Sequence, residues 1–516
     1  MRRSAIVLCA LAALCVGGIA AAHACLVGTA DEVAFRETTY AGDLAAAEGL
    51  TLTAQQSCAR QLYWESVVPV AAPERARTEF TALASQKPAE TRQHPEGLSM
   101  GVQVGGASYH FGSGVELSAL PSMMYGTHLQ GGDDIIALLM PVAERTEAGD
   151  VHEETFRARD YLEYLPLYFD LELGGRTVPY WNGRPYVPGD DTSGLSERLA
   201  DCFRIPTPED LMLTVRVSKN RRGQVETLET EASSGGAATN MLTFGLETYS
   251  VVTEGKCWFA LSGTGDEPLD FSELQGGCGL YCLPFATRET ADEFGNKKRD
   301  VDADALHNAF PFAEGETPVD LRDGGDGTLL LTLRSPEGLT LVVLDAMTER
   351  ALQRLPLFAE AELGEEDWVA APVDGWFYAA CDARVRFYER GADGCYTLLL
   401  DVPGGVRGAL PEELSPARFT GPRAVAWDGE RLAVIVAAAQ GFPYTDFQTG
   451  EMRTGGGLLL AVYDASGLRY CGRLQSGLMD GRSGYLSDDV LWGEYDYAFG
   501  RQGETGLALS FDGGRG

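Results

Sequence analysis

A strand-turn-strand unit recurs in the C-terminal half of this chain, and each copy reads as four short antiparallel strands. The clearest copy runs WVAAPV, a turn at Asp374-Gly375, WFYAAC, a turn at Asp382-Ala383, VRFYER, a GADG turn and CYTLLL. An earlier copy runs TPVDLRD, a turn at Asp326-Gly327, TLLLTL, SPEG, LTLVVLD and ALQRLPL. A later one runs RAVAW, Asp428-Gly429, RLAVIVAA, a long insert, GLLLAVYD, ASG and LRYCGRL. The Asp-Gly pairs at 326, 374 and 428 are spaced by 48 and 54 residues. Asp-Gly between apolar runs is a strong hairpin signal, because its positive-φ positions suit the primed turns that match strand twist. The runs are rich in Val, Leu, Tyr and Phe, as buried sheet positions require.

A small sheet repeated at a period near fifty residues cannot bury both of its faces without neighbours. The expected fold is therefore all-β: a β-propeller of about seven four-stranded blades, with six or eight also compatible, and a few short helices in inserts. The competing architecture is a set of unrelated hairpins in a sandwich. Residues 25–516 read as one propeller domain, with irregular blades over 45–312, the clearest over 317–476 and closing strands over 484–512. A last segment too short for a full sheet fits a ring closed by strands from both chain ends, which removes an exposed edge. The pattern over 317–476 resembles WD40, kelch and similar repeat families in general, but lacks the Trp-Asp strand ending of the first and the paired glycines of the second. The resemblance implies a fold and no activity.

The chain begins Met1-Arg2-Arg3, continues with an apolar stretch from Ala5 to Ala22 and then Ala22-His23-Ala24, the three regions of a secretory signal peptide over 1–24. Cys25 then heads the mature chain and is a candidate lipid attachment site, although His23 fits a lipobox poorly. An exported protein is expected, extracellular or held on the outer face of the membrane only through that lipid. Removing the two arginines takes the formal charge from −34 to −36. Such a charge repels nucleic acid and otherwise serves solubility. Of the cysteines, the pair best placed to bridge is Cys257 with Cys278 or Cys282, across a hairpin; buried thiols are the alternative. Cys381 and Cys395 fall at opposite ends of non-adjacent strands, too far apart to bond.

The N-terminal half is less regular. GLTLTAQQ with LYWESVVPV reads as a hairpin, MMYGTHLQ with IIALLMPV as a second, and YLPLYFDLEL as an outer strand. LMLTVRV opens another sheet, and TYSVVTEGK, CWFALS and GLYCLPF form a third hairpin unit. Polar inserts span Pro73–Pro95, Pro185–Pro208, Thr287–Pro311 and Gln440–Gly457, with SGLSERLADCF and ETADEFGNKK as possible helical turns.

Candidate chemistry is sparse. Asp300, Asp302 and Asp304, with His307 beyond, alternate as calcium ligands do, yet the loop lacks the Gly and Glu such a site needs and reads better as a solvated insert. Asp320, Asp323 and Asp326 read as turn formers. No two histidines have a metal-ligand spacing, so neither metal nor cofactor is expected. There is no nucleophile elbow or phosphate-binding loop. GTGDEPLD holds paired carboxylates that ordinary loop charge explains as well. Tyr180, Trp181 and Tyr186, and Phe442, Tyr444 and Phe447, cluster in loop-like stretches and are candidate ligand-stacking residues, or else rings that pin the loops down. Trp258, Trp368, Trp376 and Trp427 fall on strands and read as core or inter-blade residues. The expected function is a monomeric, non-catalytic binding or scaffold propeller for a peptide, glycan or envelope protein. The alternative is a propeller enzyme, a glycoside or peptide hydrolase or lyase, with acidic residues on blade-connecting loops.

Overall fold

The computed structural model describes residues 35–58, 62–82, 91–93, 97–102, 108–120, 132–165, 167–172, 177–181, 184–185, 199, 201–234, 237–239, 245–263, 269–291, 297–363, 368–373, 375–406, 410, 419–438, 442–445, 452–455, 458–476 and 507–512, with 15–18 and 20–21 near the N terminus. Among them are six antiparallel sheets of four or five strands. Five stack face to face as blades of a β-propeller. Blade 1 joins the chain ends: Leu507–Phe511 pairs with Leu50–Cys58, followed by Leu62–Pro69 and Arg77–Ala82. Blade 2 is Leu246–Thr253, Lys256–Gly263 and Gly279–Ala291, with both Lys297–Val301 and His307–Pro311 paired to the last. Blade 3 is Thr317–Gly325, Thr328–Ser335, Gly338–Asp345 and Arg350–Ala359. Blade 4 is Trp368–Val373, Trp376–Cys381, Arg384–Arg390 and Tyr396–Pro403. Blade 5 is Phe419–Trp427, Leu432–Ala438, Leu458–Asp464 and Gly467–Ser476, with Phe35–Gly42 added at its outer edge.

The apolar runs follow from this stacking. Successive side chains on a strand point to opposite faces, and both faces of an inner blade strand are covered. Leu331 therefore packs toward blade 2 with Trp258 and Leu280, whereas Leu330 packs toward blade 4 with Phe377 and Tyr388. Phe377 meets blade 3, and Tyr378 meets Val434 and Tyr463 of blade 5. Val434 faces blade 4, while Ile435 meets Leu50, Leu52 and Leu509 of blade 1. Trp258 and Trp376 are buried in these layers.

Several local expectations are corrected. IIALLMPV lies in a helix, Gly132–Arg145, rather than a strand. Its apolar residues recur at helical spacing, and Leu139, Val142 and Ala143 pack on Val215, Val217, Val225 and Leu228. That helix backs one face of the sixth sheet, formed by Ser108–Val115, Val151–Arg157, Met212–Lys219, Val225–Ser234 and Ala237–Thr239, while Leu213 and Ala232 on its other face share a core layer with Cys257 and Phe259 of blade 2. The two ends of ETADEFGNKK are strand rather than helix, Glu289, Thr290 and Ala291 pairing with Arg299, Lys298 and Lys297, and residues 292–296 lie outside the described residues. The insert from Pro73 contains the fourth strand of blade 1, Arg77–Ala82.

Thr91–Gln93 and Gly97–Val102 pair with Thr177–Trp181 and Leu167–Glu172 respectively. The resulting ribbon lies along the first strand of blade 2, where Leu98 N and Met100 N donate to Ser250 Oγ and Thr248 Oγ1, each at 3.0 Å. Among the described residues no helix is long and apolar enough to cross a membrane.

The proposed bridge from Cys257 is overturned by register. Trp258 is the direct partner of Cys282, so Cys257 and Cys282 point to opposite faces of blade 2, one into each neighbouring core layer. Cys278 lies before the strand begins and is exposed; both it and Cys282 are free thiols.

Candidate functional site on blade 2

Glu254 and Gly255, at φ 52° and 70°, turn the chain tightly between the first two strands of blade 2. Lys256 and Trp258 then face blade 3 on the same side. Trp258 is paired across the ladder with Cys282, and Cys282 with His307, so one row crosses three strands. Blade 3 supplies the remaining member from the turn after Gly338–Asp345. There Asp345 Oδ1 accepts from Met347 N at 2.9 Å and Thr348 N at 2.6 Å, and Glu349 N donates to Asp345 O at 2.8 Å. This cage holds Glu349 at φ 60°, a left-handed conformation a non-glycine residue adopts only when its surroundings impose it.

Glu349 bridges the two blades. Lys256 Nζ donates to its Oε1 at 2.9 Å and to Ala346 O at 3.2 Å, and lies 5.1 Å from the Trp258 ring centroid. His307 Nε2 is 2.9 Å from Glu349 Oε2, and its Nδ1 is 2.8 Å from Ala305 O. Burial alone pushes the Glu349 carboxyl upward, but its bonds to His307 and Lys256 outweigh that and hold it below the usual carboxylate range. Burial pulls His307 down, and the Ala305 carbonyl with Glu349 more than reverses it. The Cys282 thiol is pushed up to about 12 by burial, which Lys256 offsets only in part. Cys282, His307 and Glu349 form the one group among the described residues whose metal-ligating atoms all lie within 4.8 Å of one another.

The same edge strand borders a cavity of about 290 Å³. Phe203 and Tyr281 line it, their rings edge to face at 4.8 Å, and Leu306, Gln275, His307 and Asn308 are also on its wall. Tyr281 is fixed by donating its hydroxyl to Gly277 O at 2.5 Å. Asn308 Nδ2 donates to Gly276 O at 2.9 Å and Gly277 O at 3.0 Å, which orients the amide and leaves Oδ1 buried with no hydrogen-bond partner. Gly279 is required beside it, since a Cβ there would lie 2.2 Å from Asn308 Oδ1. Because both rings are buried, the accessible wall is made by two amides, an imidazole and Leu306, which suit an uncharged ligand with hydroxyl or amide groups.

The residues singled out in the sequence fall elsewhere. Tyr180 and Trp181 lie on the paired strand Thr177–Trp181, and Phe442 and Tyr444 on Phe442–Thr445, paired with Met452–Gly455, so both stretches are ribbons rather than loops. Cys25, Tyr186 and Phe447 lie outside the described residues. Asp300 ends up on the strand Lys297–Val301, while Asp302 and Asp304 are exposed on the 3₁₀ turn before His307 and join no ligand group. His307 stood beside that acidic string, but its partners lie 25 residues before and 42 after it. The detectable signal was Cys282 on a strand flanking His307; Glu349 comes from a neighbouring blade and has none.

No family model matches the chain, and no curated protein matches it. Among solved structures, a candidate 6-phosphogluconolactonase from Bacteroides uniformis aligns at 13% identity over 52% of this chain and 85% of that one, with a TM-score of 0.21. An exo-β-1,3-galactanase from Phanerochaete chrysosporium aligns at 8% identity over 50% of this chain and only 63% of that one, with a TM-score of 0.20. An auxiliary nutrient binding protein from Bacteroides ovatus aligns at 9% identity over 85% and 80%, with a TM-score of 0.21. Likenesses this distant assign no activity to the chain.

Proposed function

We propose that this protein is an exported, non-catalytic binding propeller whose blade 2 cavity takes a small neutral hydroxylated ligand, a sugar unit of a glycan. One observation carries the reading: the exposed Gln275 and His307 share the wall of the cavity with the half-buried Leu306 and Asn308, and among the described residues that wall holds no carboxylate, lysine or arginine. The half-buried Leu306 adds apolar surface for the C–H face of a sugar.

The nearest approach to a catalytic constellation speaks against the enzyme alternative. Cys282 sits beside His307, but the ring nitrogens of His307 are engaged by Ala305 O and Glu349, and burial keeps the thiol protonated. Saturation-transfer NMR and calorimetry with neutral mono- and oligosaccharides test the proposal. Saturable binding that weakens about tenfold in Gln275→Ala, with the sugar recovered intact, is the expected result. Release of cleaved sugar, or no binding of any neutral saccharide, would overturn it.

A further inference from the structure

We propose that Cys282, His307 and Glu349 form a zinc site that joins blades 2 and 3. The three ligating atoms are Sγ, Nε2 and a carboxylate oxygen, all within 4.8 Å of one another. Around a tetrahedral zinc, such atoms sit about 3.3–3.7 Å apart at bond lengths near 2.0–2.3 Å, so adjustment of side-chain torsions closes the set. One thiolate, one imidazole and one carboxylate are a borderline-soft donor set that suits Zn²⁺ rather than calcium or magnesium.

The surrounding hydrogen bonds are those a metal site needs. A ligating histidine normally gives its other N–H to a carbonyl or carboxylate, and His307 Nδ1 is 2.8 Å from Ala305 O. That tautomer aims the Nε2 lone pair at Glu349 Oε2, 2.9 Å away. Two lone pairs cannot face each other at that distance without a cation between them, either a proton or a metal. Lys256 binds the other carboxylate oxygen, Oε1, leaving Oε2 for the metal and orienting the carboxylate. His307 is 45% exposed, which gives an entry path, while Cys282 is buried. Binding displaces the Cys282 thiol proton and the Nε2 proton of any imidazolium. Both leave to solvent as zinc forms its bonds to sulfur, nitrogen and oxygen, with a water in the fourth position.

Two probes test the site on the metal-stripped full chain. Zn²⁺ is titrated by calorimetry and thermal melting, and Co²⁺ by absorbance. One equivalent of Zn²⁺ should bind and raise the melting temperature by about 2–4 °C, and Co²⁺ should give the near-ultraviolet thiolate-to-cobalt band of a bound cysteine. Cys282→Ser should abolish the band and weaken Zn²⁺ binding at least tenfold, Glu349→Gln should weaken it similarly, and Cys278→Ser should leave both readouts unchanged. Because Cys282 is buried and its variant can fail to fold, the surface variants Glu349→Gln and His307→Asn carry the test independently. No thiolate band, no melting shift, or full binding by both surface variants would show that a proton alone holds His307 to Glu349 and would overturn the proposal.

Discussion

The guanidinium of Arg431 lies 4.5 Å from the ring centroid of Phe511, so blade 5 grips the C-terminal strand of blade 1. Its Nη1 also donates to Ala46 O at 2.9 Å and Glu48 O at 3.0 Å, and its Nε to Asp428 Oδ2 at 2.8 Å. Lys256 stands at a similar place in blade 2, just after the first hairpin turn, and likewise reaches a carbonyl of the next blade while resting on an aromatic ring. A basic residue there stitches adjacent blades through carbonyls left open at their turns. Arg431→Ala should cost about 2–4 kcal/mol, from one cation–π contact and two charge-assisted hydrogen bonds. Arg431→Lys should recover roughly half. Chemical denaturation of both variants gives the comparison, and a loss under about 0.5 kcal/mol for alanine would mean the clasp is incidental.

Removing residues 507–516 should be far more damaging. Leu507, Leu509 and Phe511 are 8%, 2% and 3% exposed, and burying three such side chains contributes roughly 5–9 kcal/mol. Their loss also leaves Leu50–Cys58 as an open edge with unpaired backbone groups. The truncated chain is expected to aggregate on expression or to lose cooperative unfolding. A soluble truncation melting within a few degrees of the parent would show that the ends do not hold the fold together.

The blades that could be read in the sequence are those whose turns carry their own chemistry. Asp326 and Gly327 take φ 49° and 71°, and Gly375 and Gly429 take 84° and 103°, so local preference and tertiary structure agree at each. Where the turn chemistry is absent, an apolar run is ambiguous between strand and buried helix, and IIALLMPV went the wrong way for that reason. The cluster around Glu349 was illegible for a different cause. Its members come from two blades, and the register that sets Cys257 one residue out of line with Cys282, on the opposite face, is fixed by the ladder rather than by sequence spacing.

Thiol reactivity should follow burial. Cys471 and Cys282 are fully buried, and burial pushes each thiol up to about 12, so neither forms thiolate near neutral pH. Cys278 is exposed and Cys395 half-buried, though burial raises both thiols somewhat. Timed alkylation at pH 8 with mass mapping should label Cys278 and Cys395 first, and Cys282 and Cys471 only on denaturation. Early labelling of Cys471 would mean that blade 5 opens in the native state.

Asp428 ties the Asp-Gly turn of blade 5 to the Arg431 clasp and should give it an acid limit. Its Oδ1 accepts from Glu430 N at 2.9 Å and Arg431 N at 2.7 Å, and its side chain is 18% exposed. Burial raises this carboxyl, but those two amides and the Arg431 guanidinium outweigh it, so the group lies below its usual value in the folded state. A lowered folded value means the stabilisation is fully present above the unfolded value of about 3.9 and is lost as pH falls through the folded one. Asp428→Asn keeps an acceptor for the turn amides but removes the charge facing Arg431. It should therefore cost about 1–2 kcal/mol at pH 7 and at pH 5, with the difference from the parent shrinking below about pH 3.5. Urea unfolding at the three pH values measures this directly. A difference that stays constant down to pH 3 would place the stabilisation in the turn amides rather than in the carboxylate charge.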